Sequence, residues 1–110
     1  MNTVDILRDI VEPLGISPRI FSVDYRDKDN NYYHAESVLV GNADDDFIVD
    51  GLVKDYAANG FIAYGVVEIL NGYSSEELQA LTISNPTEAV KHMRPVYYDP
   101  AKEKAPHHAT

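Results

Sequence analysis

The sequence predicts a single α+β domain, and three patterns predict it: an amphipathic helical start, two alternating runs flanking Asp27-Lys28-Asp29-Asn30-Asn31, and an apolar run at 61–70 set between helical patterns. The expected order is α-β-β-α-β-α-α over residues 1–98, with helices mainly on one face of a mixed sheet. That sheet has three strands, or four if Val96-Tyr97-Tyr98 is extended. A chain of 110 residues, 45% of them hydrophobic, is long enough to bury a core without disulfides.

Thr3 caps the first helix, in which Val4, Leu7, Ile10, Val11 and Leu14 share a face, Asp5 and Arg8 point outward, and Pro13 with Gly15 ends the element. From Ile16 the period falls to two, and Arg19 to Val40 reads as a β-hairpin. Placing Arg26 opposite Tyr32 sets Asp24 against His34, Val23 against Ala35, Ser22 against Glu36 and Phe21 against Ser37. Phe21, Val23, Tyr25, Tyr33, Ala35 and Leu39 then form one face, and Ser22, Asp24, Arg26, Tyr32, His34 and Glu36 the other. A slip of one residue mixes the two, because side chains alternate, so this register is the expected one.

Asn42 opens a second helix over about residues 43–59, with Asp45 in a capping-box position and Asp44 and Asp46 favoured by the helix dipole. Ile48, Leu52, Val53, Tyr56 and Ala57 supply its buried stripe, and Asn59-Gly60 stops it. The run Phe61 to Leu70 is apolar on both faces and therefore central in the sheet. The β-α-β connection makes this strand parallel to the second strand and places it beside the first. Ser74 with Glu77 opens a short helix, and Asn85-Pro86-Thr87-Glu88 opens another reaching about Arg94, where Pro95 ends it. Asp99 to Thr110 is polar and proline-containing, and a disordered tail is expected there.

The chain carries 18 acidic and 9 basic residues, net charge −9, a balance that opposes binding to phosphate backbones or anionic lipid. The N-terminus lacks the pattern of a signal peptide, the longest apolar run is interrupted by Glu68, and cysteine is absent, so a cytoplasmic protein without a membrane span is expected. Asp27 to Asn31 matches the first positions of a calcium loop, but Tyr32 replaces the needed glycine and Val38 the closing glutamate, so a plain turn is expected. His107-His108 lacks a third ligand, and no phosphate loop or nucleophile elbow is present. No cofactor or metal is expected.

Asp24, His34 and Glu36 share the polar hairpin face and constitute the candidate acid/base set; the plainer reading is a solvated cross-strand ion pair. Asp44, Asp45, Asp46, Glu76, Glu77 and Glu88 are explained by helix starts. Of the remaining acids, Asp24, Asp27, Asp29, Glu36, Asp50 and Asp55, with Tyr32 and His34, form the expected partner-binding set. The leading expectation is a non-enzymatic protein-binding module that meets a basic surface. Its concrete form is an inhibitor, of the phage or mobile-element type, that covers a partner's nucleic-acid-binding site. An acidic secretion or assembly chaperone, or a structural subunit, is the second reading; a small enzyme using Asp24, His34 and Glu36 is the third.

Overall fold

Alternation along Pro18–Arg26 (β1) and Tyr32–Val40 (β2) produces the antiparallel hairpin in the expected register, with Arg26 opposite Tyr32, Asp24 opposite His34 and Ser22 opposite Glu36. The computed structural model describes residues 18–41 and 43–104, together with Ile6 and Ile10, which are helical and exposed. The rest of the expected first helix, the expected cap Asn42, and residues 105–110 with His107-His108 lie outside the described residues. Asp27 builds the hairpin turn: Oδ1 accepts the N–H groups of Asp29 and Asn31 at 2.9 and 3.0 Å, and Oδ2 accepts from the Asn31 side chain at 2.8 Å. Asn30 takes the left-handed conformation (φ 61°), which asparagine tolerates better than most residues.

Asp45–Ala58 (α1) leads into Ile62–Ile69 (β3), which pairs antiparallel with the free side of β1. β3 therefore lies beside β1 and runs in the direction of β2, as the connection requires. Met93–Tyr98 (β4) joins the outer edge of β3, giving the order β2-β1-β3-β4. The sheet has four strands and is antiparallel throughout rather than mixed, because the crossover spans β1 and never brings two like-directed strands into contact.

Ser75–Ser84 (α2) and Pro86–Val90 (α3) follow β3. The last of these ends well short of Arg94, and Pro95 lies inside β4 instead of stopping a helix. An edge strand tolerates this proline: the register shifts so that Val66 faces Tyr97 and Val67 faces Pro95, making Val96 the bulged residue.

Helices cover both faces, correcting the expectation of a mainly one-sided layer. Ile48 and Leu52 of α1 pack with Phe21, Val23, Ala63 and Val66, whereas Leu78 of α2 and Ala89 of α3 pack with Ile20 and Ile69 on the opposite side. A run apolar on both faces, as β3 is, needs cover on both. Pro100–Glu103 (α4) corrects the disordered-tail reading as far as Lys104. The Asp99 N–H donates to the Tyr64 carbonyl at 2.9 Å, and Arg26, only 4% exposed, donates from Nε to the Lys102 carbonyl at 2.7 Å.

The helix α1 starts at Asp45 with Asp44 at its N-cap position, and ion pairs engage that first turn. Arg94 grips Asp45 through Nη1 and Nη2 at 2.7 and 2.8 Å and reaches Glu68 at 2.8 Å, while Arg19 binds Glu68 through Nε at 2.9 Å and Asp45 at 3.3 Å. Glu68 is only 8% exposed, and these guanidinium groups compensate its burial. Among the described residues, no helix is long and apolar enough to cross a membrane.

Candidate functional site

The polar hairpin face is not simply open to water; the start of α2 sits on it. Ser74 caps this helix by accepting the Glu77 N–H at 3.1 Å, which leaves Ser75, the first helical residue, turned toward the strands. The Ser75 N–H donates to Glu36 Oε2 at 2.7 Å, filling one donor that helix geometry leaves unpaired. Ser75 Oγ lies 2.6 Å from His34 Nε2, and His34 Nδ1 lies 3.0 Å from Asp24 Oδ1. Ser22 Oγ sits beside the same ring, 3.2 Å from Nδ1 and 3.4 Å from Nε2. An ionised carboxylate only accepts, so in the neutral imidazole Asp24 holds the proton on Nδ1 and leaves Nε2 to accept the Ser75 O–H.

Two hollows flank this row. One, of about 190 Å³, combines Asp24, His34 and Ser75 with the apolar Val67, Leu78 and Met93. The other, an open depression of about 490 Å³, is bordered by His34, Glu36, Ser75, Glu76 and Gln79.

The expected site residues divide accordingly. Asp24, His34 and Glu36 meet around Ser75. Asp27 is committed to the turn, and its hydrogen bonds from the Asn31 side chain and backbone hold its carboxyl below the usual range. Asp29 is exposed at the turn, and Tyr32 is half-exposed with its ring edge-on to Tyr64 at 6.1 Å. Asp50 and Asp55 belong to α1 across the sheet, and Asp50 pairs with Lys54 at 2.8 Å. Tyr33, on the hairpin face that Phe21 and Val23 bury, is itself 43% exposed, stacked on Tyr25 at the strand end.

Sequence reasoning missed Ser75 and Glu76. Both read as ordinary first-turn residues, and the only local hint is the Ser74-Ser75 pair, in which one hydroxyl suffices for the cap. Their approach to the hairpin comes from the placement of α2, which lies 41 residues beyond His34.

Among the described residues, no group of three His, Asp or Glu side chains is arranged to hold a metal. Comparison with protein families, curated proteins and solved structures finds no match. The class is thus defined by architecture alone: an α+β domain with an antiparallel sheet and an acidic, hollowed face where hairpin and helix meet.

Proposed function

We propose that this protein is a protein-binding module whose acidic hairpin face, built from Asp24, Glu36 and Glu76 with Tyr32 and Asp29 toward the turn, engages a basic partner surface. The observation that carries this reading is how the cations are used. Arg19 and Arg94 are engaged with Asp45 and Glu68, Arg26 with backbone carbonyls, Lys54 with Asp50 and Lys91 with Glu88. Among the described residues, no lysine or arginine lies within ion-pair distance of Asp29, Glu36, Glu76 or Glu77, and the one described cation beside them in sequence is Lys28 at the hairpin turn, so negative charge predominates on this face. Exposed tyrosine beside such a field adds rigid contact area with a polar tip.

The concrete form is an inhibitor of the phage or mobile-element type, acting in the cytoplasm, that covers the basic nucleic-acid-binding surface of its target. Asp50 and Asp55 belong to a separate surface in this reading. A chaperone or permanent subunit is the second reading, favoured by Phe47, which is 75% exposed beside an apolar groove lined by Leu39, Ile48 and Leu52.

A tagged pull-down from nuclease-treated host lysate, at about 0.05 M and about 0.5 M salt, separates the two because salt screens exposed charge. The expected result is a nucleic-acid-binding protein captured at low salt, lost at high salt, and lost in a Glu36→Lys/Glu76→Lys variant that retains the native circular dichroism spectrum. Capture unaffected by that variant, but abolished by Asp50→Lys/Asp55→Lys, moves the site to α1. Salt-resistant capture sensitive to Phe47→Asp favours the subunit reading.

A further inference from the structure

The row Asp24, His34, Ser75 has the connectivity of an activated serine. We infer that Ser75 is a nucleophile, with His34 as its general base and Asp24 as the positioning residue, and that the site accepts an ester with a short apolar acyl group. This goes beyond the binding role and stands without it.

Geometry carries the inference. A serine hydroxyl is weakly nucleophilic until a neighbouring base takes its proton, and the diagnostic arrangement is a nucleophile and base within about 2.6–3.2 Å, with the base oriented by a third group. Ser75 Oγ to His34 Nε2 is 2.6 Å, and His34 Nδ1 to Asp24 Oδ1 is 3.0 Å. Ser75 and Asp24 contact opposite ring nitrogens, as a relay requires, and each is closer to its nitrogen than Ser22 Oγ, which lies 3.2 Å from Nδ1 and 3.4 Å from Nε2. The residues come from β1, β2 and α2, so rigid elements hold all of them.

Ser75 is also freed from helix capping, which Ser74 performs. It is only 9% exposed, and it borders both hollows, which are the sides from which an electrophile would approach Oγ. The smaller hollow, walled by Val67, Leu78 and Met93, fits a short acyl chain. The larger, bordered by Glu36 and Glu76, suits a neutral or cationic alcohol portion and repels an anionic one.

The step balances without a cofactor. Ser75 Oγ attacks the ester carbonyl carbon while its proton passes to His34 Nε2; the bond from that carbon to the alcohol oxygen breaks, and the alcohol leaves with the proton. Water then attacks the acyl carbon, gives a proton to Nε2, and releases the acid as Ser75 Oγ recovers that proton. The N–H of Glu76, the residue after the nucleophile, lies in the first helical turn beyond the reach of an intrahelical acceptor and is the backbone donor assigned to the oxyanion.

The test is covalent labelling of the full chain with a fluorophosphonate, followed by peptide mass mapping, alongside release of p-nitrophenol from p-nitrophenyl butyrate. The expected adduct maps to Ser75. It is absent in Ser75→Ala, which leaves the Ser74 cap and the backbone bond to Glu36 in place, and at least tenfold slower to form in His34→Gln, while Ser22→Ala labels normally. Asp24→Asn slows labelling and Asp24→Glu recovers part of it, both with a native circular dichroism spectrum; a merely structural Asp24 gives equal rates in all three. No adduct in the wild type, an adduct on another residue, or equal butyrate hydrolysis in Ser75→Ala overturns the inference. Loss of the partner in the pull-down leaves these readouts untouched, so the two proposals fail separately.

Discussion

Asp45 shows how far a residue's role depends on partners distant in sequence. Locally it is a first-turn acid; in the fold it bridges Arg94 and Arg19, from opposite ends of the described chain, and the hydrogen bonds and charge of Arg94 pull its carboxyl down to about 2. Glu68 is lowered for the same reason, first by its hydrogen bonds from Arg19 and then by those from Arg94. Because both carboxyls are more acidic in the folded chain than in the unfolded one, their contribution is complete above the ordinary carboxylate range, about 4, and is lost as pH falls through the folded values. Urea midpoints measured from pH 5 downward should therefore drop between about pH 4 and about 2, and Asp45→Asn should flatten part of that fall. Superimposable curves for variant and wild type would show that the ion pairs contribute nothing to acid sensitivity. No sequence pattern announces this network: its members are spread over β1, α1, β3 and β4, and each separately has an adequate local explanation.

At the scale of elements, local chemistry decided most of what was legible. The hairpin register followed from side-chain alternation, since the wrong register buries His34 and Glu36 beside Phe21 and Val23. The starts of α2 and α3 followed from caps whose side chains accept the N–H groups of Glu77 and Glu88. Ser74→Ala should destabilise the protein by about 1 kcal/mol, the usual worth of such a cap, measured by urea unfolding. The same variant should raise hydrogen exchange in α2 and loosen the contact of Ser75 with His34, so exchange confined to other elements would contradict the link between cap and site. The stop of α3 was not legible. Pro95 is a helix breaker in isolation, and only an exposed edge beside β3 makes a proline-containing strand the better outcome.

For the whole molecule, layering determines what the surface offers. α1 on one face and α2 with α3 on the other divide the acids into two surfaces, and the placement of α2 turns a polar strand face into a hollow with a central serine. The chain beyond Tyr98 completes one end of this arrangement by supplying the Lys102 carbonyl to buried Arg26. Truncation after Tyr98 should cost about 2 kcal/mol, the penalty for a buried charged donor losing its acceptor, whereas an unchanged urea midpoint would show that 99–104 adds no stability. The sequence by itself determined the α+β class, the hairpin and its register, the central position of β3, the starts of α2 and α3 and the excess of negative charge. Each of these rests on periodicity, capping or composition within a short stretch. The fourth strand's path through Pro95, cover on both faces, the Arg19–Glu68–Arg94–Asp45 network and the meeting of Ser75 with His34 were decided by tertiary structure. These arise between residues distant along the chain, where burial and partner geometry, not local preference, set the free energy.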